Sequence, residues 1–518
     1  MTPSSKSKWP RFPIITLGLA GMTVFWIRSL PEFERNLKGW LTAGIPLLVL
    51  LLNLLWLAFT KRYPLKHRMM VLTALLGLGL VLKATLRVDG AIDGTGLPKL
   101  VWKGSSAPAT TLKATAPSTT DGTLDDIDPR LKLARDVPQF FGQDRTGKMQ
   151  DLSLSRDWKK STPQELWRQP IGQGWSAYAV VGARAYTMEQ RGEEECVTCY
   201  HLLTGKLLWV HAEKTRFSQW QGGDGPRTTP TVSQGRVYTL GATGFLCCLD
   251  AKTGLLIWKR SILTENKLSN LEWGLAASPL LVGDLVIVTG GGTRGPALYA
   301  FHTQDGSDAW KAGSDQASYA SPMLTQLNGK RVILSNNALA LSAHDPSSGV
   351  VLFTHIWGDE KWPKASQPVV IGSDQIFLSA GYGMGCVMLK ITTDDKGQFT
   401  ASELWKNLKM KTQFNSAALL EEHLYGLDDG RLACLEVQTG ERVWKDGRFA
   451  SGQTLMADDL ILIQNEKGSV HLAVANPQGF QELGEIAALS SKTWNHPTLA
   501  GHFLLVRNDR ESVCYLLP

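Results

Sequence analysis

The hydrophobic pattern divides the chain into two unlike parts. The first carries three long apolar runs, at 13–30, 40–60 and 69–86. Each matches the roughly 18–20 residues that cross a bilayer core, so the pattern predicts three transmembrane α-helices. The second run is the purest, with Ile45-Pro46-Leu47-Leu48-Val49-Leu50-Leu51-Leu52 at its centre. From about residue 138 the period shortens to two, and short apolar strands alternate with Gly and Asp turns. Leu246-Cys247-Cys248-Leu249-Asp250-Ala251-Lys252-Thr253-Gly254-Leu255-Leu256-Ile257-Trp258 shows the unit most clearly. It reads as a strand, an Asp-x-x-Thr-Gly turn, a second strand and a closing Trp. Gly254 supplies the φ > 0 position of a tight turn, and Asp250 and Thr253 can bond nearby backbone groups.

The unit recurs every ~40–50 residues, the period of propeller blades. Each copy opens with a small residue and a Pro leading into a strand, as at Thr229-Pro230, Ser278-Pro279, Ser321-Pro322, Gln367-Pro368 and His496-Pro497. Turns follow at Thr204-Gly205, Thr253-Gly254, Asp305-Gly306, Ser348-Gly349 and Thr439-Gly440. Trp209, Trp258, Trp310, Phe353, Trp405 and Trp444 close the units. Four short strands per unit spell a blade. Seven units fit between Trp167 and Leu483, and the tail from Trp494 has strands but lacks a fourth. Glu165-Leu166-Trp167-Arg168 looks like a fourth strand with no unit before it, so joining the ends closes an eighth blade and removes exposed sheet edges. The expected architecture is an all-β, eight-bladed propeller of four-stranded antiparallel blades, preceded by three transmembrane α-helices. The expected boundaries are a membrane anchor at 1–88, a flexible extracytoplasmic linker at 89–137 and the propeller at 138–518. The linker owes its character to Pro, Ser and Thr between 103 and 136, a composition too poor in apolar surface to fold.

Charge sets the orientation. Lys6, Lys8 and Arg11 precede the first span, and Lys61, Arg62, Lys66 and Arg68 fill the loop between the second and third. Both segments are therefore expected in the cytoplasm, which leaves everything after the third span outside it. The first run has no small-residue cleavage site behind it, and the first Cys is Cys196, too late for a lipoprotein anchor. The net charge of +7 is modest and gathers beside the apolar runs, so it reads as membrane topology and not as nucleic-acid binding. The 18 Trp fit a repeat with one structural Trp per unit, and the 7 Cys are an odd number with no regular disulfide framework.

Asp-x-x-Thr-Gly-x-x-x-Trp resembles the quinoprotein-type (PQQ-like) repeat of eight-bladed propellers. Two families carry it: quinone-dependent alcohol dehydrogenases, and non-catalytic propellers related to the outer-membrane β-barrel assembly lipoprotein. The resemblance covers about 138–518. The segment Gln139-Phe140-Phe141-Gly142-Gln143-Asp144-Arg145-Thr146-Gly147 also resembles the lead-in of membrane-tethered bacterial propellers with this repeat. The dehydrogenase resemblance implies a quinone held with calcium, near a vicinal disulfide and an acidic base. Cys247-Cys248 is vicinal, but it lies on the strand entering the turn, where successive residues point to opposite faces. No carboxylate cluster has calcium spacing. Cys196-x-x-Cys199 is followed by Tyr200, not by the His that haem attachment requires. Gly290-Gly291-Gly292-Thr293-Arg294-Gly295 lacks the helix and Lys of a phosphate loop.

Aligning the blade starts yields a different constellation. Three residues before the small-Pro step, or at the equivalent position of a blade without the Pro, stand Trp175, Arg227, Tyr319, Phe414 and Trp494, with Trp273, Lys364 and Lys411 close by. The innermost strand of a blade lines the channel, so these side chains are expected to ring one mouth. Aromatic and forked basic groups are over-represented where proteins grip partners, and the competing expectation is that they plug the channel and fix neighbouring blades. In the repeat itself, Trp209, Asp250, Gly254, Trp258, Trp310, Gly440 and Trp444 read as structural. The expected function is a membrane-anchored extracytoplasmic scaffold that binds envelope proteins or peptides, without catalytic residues, metal or cofactor. PQQ with calcium enters only under the alternative, a dehydrogenase feeding electrons to the membrane. The topology has a direct test: alkaline phosphatase fused after Asp136 is active if the propeller lies outside the cytoplasm. A silent but well-expressed fusion places it inside.

Overall fold

The computed structural model describes residues 10–30, 33–105, 112, 128–292 and 295–518. Lys6 and Lys8, Thr293 and Arg294, and most of the Pro/Ser/Thr-rich stretch lie outside the described residues. The chain forms two units, 1–109 and 110–518.

The first unit contains α1 (Arg11–Ser29), α2 (Arg35–Phe59) and α3 (Leu65–Thr85), each long and apolar enough to cross a membrane. All three start before the apolar runs, and only α2 has a side-chain cap at its start. Glu34 accepts hydrogen bonds from the Asn36 and Leu37 amides at 3.0 and 2.6 Å, and Pro64 precedes α3. The first part of the expected linker is instead a β-hairpin, Leu86–Ala91 with Pro98–Trp102. Asp93 holds its turn by accepting the Thr95 amide at 2.9 Å. Trp40 donates to the Thr95 carbonyl at 3.0 Å, and Arg35 pairs with Asp93 at 3.2 Å. Residues 128–137 likewise belong to the propeller. Leu133 accepts the His502 amide at 3.1 Å, and Asp136 accepts the Gly182 amide at 2.9 Å.

The second unit is an eight-bladed propeller of antiparallel four-stranded sheets. Blade 1 comprises Ala179–Val181, Arg184–Arg191, Glu194–His201 and Leu207–Glu213. Blade 2 comprises Thr231–Ser233, Arg236–Leu240, Phe245–Asp250 and Leu256–Ser261. Blade 8 closes the ring as expected: Gln164–Pro170 pairs with Glu511–Leu516, with Trp167 opposite Cys514.

The repeat motif acts between blades. At most seams a closing Trp lays its ring on the turn Gly of the next blade and donates its indole N–H to a carbonyl there; Trp310 makes the ring contact without the bond. Trp209 covers Gly254, where a Cβ would stand 2.5 Å from the ring, and donates to Ala251 at 3.1 Å. The same pair forms at Trp167 with Gly205, Trp258 with Gly306 and Trp405 with Gly440. Their indoles donate to Leu202, Thr303 and Val437 at 2.8, 3.0 and 3.0 Å. Trp310 covers Gly349, and Trp444 donates to Asn476 at 3.0 Å. Within the turn, Asp250 accepts from the Lys252 and Thr253 amides and the Thr253 hydroxyl, at 3.1, 2.8 and 2.7 Å. Where the pattern lapses, other rings fill the seam. Phe353 meets Phe399 at 6.3 Å, and Trp158 from the lead-in packs against Gly484.

The small-Pro step makes an inner ring. The residue before Pro is held extended, and its amide points to the neighbouring blade. Thr229 donates to Ser278 Oγ at 2.9 Å and Ser278 to Ser321 Oγ at 2.9 Å. Ser321 donates to Gln367 Oε1 at 2.8 Å, and Gln367 to Ser416 Oγ at 2.9 Å.

The lead-in lies against this inner ring. Val137 bridges Val180 of blade 1, and Pro138 accepts the Val232 amide of blade 2 at 2.7 Å. Lys148–Met149 adds a parallel strand inside Gln453–Ala457 of blade 7. Phe140 and Phe141 pack edge-on to His496 of blade 8, at 5.0 and 4.6 Å. Arg145 is 1% exposed and donates to the carbonyls of Ser278 at 3.0 Å, Pro322 at 2.9 Å and Pro279, and to Gln139 Oε1 at 2.9 Å. Burial pulls its pKa down to about 9, and carbonyl dipoles take the place of a carboxylate.

Two glycines separate the seam from the turn. Gly235 and Gly254 both have positive φ, 73° and 74°, but only Gly254 faces a Trp ring; nothing lies within 4 Å of a Cβ at Gly235. Gly235→Ala should cost about 1 kcal/mol, and Gly254→Ala about 2–4 kcal/mol, because overpacking adds to the strain. Denaturant midpoints of the detergent-solubilised chain, read by Trp fluorescence, measure both. Equal losses would contradict a seam built on ring-to-Gly packing.

Candidate functional site

In this topology the outer strand of each blade runs directly into the inner strand of the next, so the inter-blade connections share one face. The aligned aromatic positions stand at the ends of those connections, where the chain turns into the channel. Trp175, Phe414 and Trp494 come together there. The Trp494 ring centroid lies 5.0 Å from Trp175 and 5.5 Å from Phe414. The Lys492 ammonium stands 4.2 Å from the Trp494 centroid and 5.9 Å from that of Trp175, within cation–π range. Both indoles are anchored: Trp494 donates to buried Glu466 at 2.6 Å, and Trp175 to the Gly222 carbonyl at 2.6 Å.

Trp273 and Tyr319 make a second group, with centroids 5.7 Å apart and the Trp273 amide donating to the Tyr319 hydroxyl at 3.4 Å. Burial raises the Tyr319 phenol, so it stays neutral. The loop at 217–225 links the two groups. A Cβ at Gly222 would meet Trp273 at 2.9 Å, and one at Gly223 would meet Trp175 at 3.4 Å. Arg227 holds this loop, donating to Gly222 at 3.0 Å, Gly223 at 2.9 Å and Gly225, and stacking 4.6 Å over Phe217. Burial lowers its pKa to about 10. Arg227 therefore shapes the mouth through backbone carbonyls.

Lys364 and Lys411 do not present cations at the mouth, contrary to the expectation from their alignment. Lys364 is fully buried, and its ammonium donates to the backbone carbonyls of Asp359, at 3.3 Å, and Ala338. Burial lowers it to about 8. Its carbonyl accepts the Tyr319 and Ala320 amides, both at 3.0 Å, so it fastens neighbouring blades. Lys411 is 4% exposed and pairs with Asp428 at 2.7 Å and Asp429 at 3.3 Å. Burial opposes its charge, but those carboxylates outweigh it and raise the pKa. Alignment fixed where these chains start, and partners from neighbouring strands decided where they end.

Aligned positions alone missed several residues. Trp362 stacks on Tyr382 at 5.2 Å with a 5° interplanar angle, and Tyr382 accepts from Gln413, next to Phe414, at 3.3 Å. Trp362 and Trp220 are 46% and 49% exposed, large apolar faces in water. Both stand in long inter-blade connections, and the length of those segments was the available signal.

The seven cysteines are free and buried. Cys247 packs toward blade 1 with Trp209, and Cys248 toward blade 3 with Trp258. They face opposite blades, so they do not form the vicinal platform that a quinone site of the dehydrogenase kind would use.

A family model described as outer membrane protein assembly factor BamB matches residues 156–446. The protein of that name from Burkholderia pseudomallei (strain K96243) is 22% identical over 304 residues, 56% of this chain and 72% of that protein. The crystal structure of BamB from Moraxella catarrhalis matches with a TM-score of 0.51 at 15% identity, covering 69% of this chain and 100% of that one. Quinohemoprotein alcohol dehydrogenase ADHIIG from Pseudomonas putida HK5 matches with a TM-score of 0.53 at 12% identity, covering 78% and 82%. At these identities the two structures share the fold with this chain.

Proposed function

This chain belongs to the family described as outer membrane protein assembly factor BamB, and from that premise we propose that its propeller is a non-catalytic protein-binding scaffold of the cell envelope. The three N-terminal helices anchor it in the cytoplasmic membrane. Residues 1–88 serve as that anchor, and the propeller works on the periplasmic or extracellular side. The partner is an envelope protein or an extended peptide, the class that the relatives' name suggests. Partner binding uses no quinone.

One observation carries this reading. Half-buried and exposed aromatic rings gather around a single mouth, and the lead-in packs against the inner ring of blades 1, 2, 3, 4, 7 and 8. Rigid aromatic faces with anchored indoles lose little entropy on binding and bury large areas, the character of interface hot spots. Trp175, Phe414, Trp494, Trp273, Tyr319 and exposed Trp362 form the contact surface.

The dehydrogenase is the competing reading, because ADHIIG shares the fold. One set of experiments separates the two. Capture of envelope proteins from crosslinked membranes should fall about thirtyfold with Trp494→Ala and Trp362→Ala combined, the loss expected from removing hot-spot rings. A thermal-unfolding control confirms that the variant folds. Unchanged capture by the folded variant would overturn the mouth as the site. A quinone absorbance shift with dye-linked alcohol oxidation, after addition of PQQ and calcium, would overturn the scaffold.

A further inference from the structure

The seam between blades 1 and 2 is apolar over much of its area, lined by Val197, Cys199 and Trp209 on one side and Val237 and Leu249 on the other. Toward the mouth it becomes ionisable. His211 and Glu213 are alternate residues of the outer strand of blade 1 and so share a face. His211 Nε2 lies 3.1 Å from Glu213 Oε1. The buried Cys247 thiol approaches from blade 2, and one donor atom from each of the three lies within 4.8 Å of the others. No other closing aromatic is followed by a His two residues on and an acid four residues on.

We propose that His211, Glu213 and Cys247 form a binding site for a zinc-class divalent cation that pins blade 1 to blade 2. A thiolate, an imidazole and a carboxylate together are the donor set that such an ion takes. Bonds of about 2.0–2.3 Å to a tetrahedral ion place neighbouring donor atoms roughly 3.3–3.8 Å apart. The observed donor atoms, within 4.8 Å of one another, must draw together by about 1 Å to reach that spacing. Lys259 holds Glu213 Oε2 at 2.9 Å, which leaves Oε1, on the His211 side, for the ion. Burial, reinforced by the negative charge of Glu213, raises the Cys247 pKa, so the thiol remains protonated until an ion displaces its proton. On binding, the S–H bond breaks and the proton leaves to solvent. An S–metal bond forms, His211 gives its Nε2 lone pair with its proton on Nδ1, and Glu213 gives one oxygen. No electron is transferred.

Cobalt(II) is the probe, because a thiolate ligand produces a near-ultraviolet charge-transfer band. The other donor group among the described residues, His471 with Glu482 and Glu485, has no sulfur and is silent in that band. The full chain in detergent, kept reduced, is titrated with cobalt. A band should saturate near one equivalent and bleach when zinc is added. It should vanish in Cys247→Ala and persist in Cys248→Ala, whose thiol faces the opposite blade. His211→Ala and Glu213→Gln should each weaken binding by more than about tenfold, the loss that removing even an outer partner of a ligand produces. Absence of the band in the wild type overturns the proposal, and so does a band that survives Cys247→Ala. Should Cys247→Ala fail to fold, unweakened cobalt binding in Glu213→Gln overturns it equally.

Discussion

The ring depends on one recurring packing constraint: at five of the eight seams an indole lies on a turn Gly of the next blade, as at Gly205, Gly254, Gly306, Gly349 and Gly440. That contact needs Gly at a positive φ and leaves no room for a Cβ, as at Gly254 under Trp209 and Gly306 under Trp258. The indole N–H adds a hydrogen bond to the adjoining carbonyl, which ties the seam by direction as well as by area. Each blade therefore holds the next, and the ring is stable only when closed. Blade 8 takes its outer strand from the start of the domain, so Trp167 carries the same contact across the closure to Gly205. On the inner side, serine and glutamine side chains pass hydrogen bonds from blade to blade, where a channel would otherwise leave amides unpaired.

This arrangement commits each face of the propeller to a different task. The outer hairpins, which carry the most conspicuous motif, are occupied with seams. The lead-in packs into the inner ring, and Arg145 is caged there by carbonyls of two blades. The inter-blade connections are the part freed from these duties. They are long, carry exposed Trp220 and Trp362, and share the face that bears the clustered rings.

The repeat was legible in the sequence because its determinants are local. Asp250, Thr253, Gly254 and Trp258 lie within nine residues, and the turn, the strand and the seam all follow from them. The closing of blade 8 by Glu165–Arg168 was legible because an unpaired strand at one end matched a gap at the other. Trp175, Phe414 and Trp494 were found by alignment, since position in the blade fixes the mouth. Lys364 and Lys411 were misplaced because the fate of a long cation depends on acceptors distant in sequence, such as Ala338 and Asp428. Trp362 and Tyr382 were missed because connections have no period to align. The hairpin after α3 was read as linker because its register depends on Trp40 and Arg35, which lie in another element.

The proposed function puts a partner on the connection face and not on the blade edges. Trp362 and Leu256 are matched probes, 46% and 44% exposed, the first on that face and the second on the outer strand of blade 2. A photo-reactive benzophenone side chain placed at each position in intact cells measures which surface is covered. A crosslinked partner is expected from position 362 and none from position 256. A partner captured from 256 and not from 362 would contradict that placement.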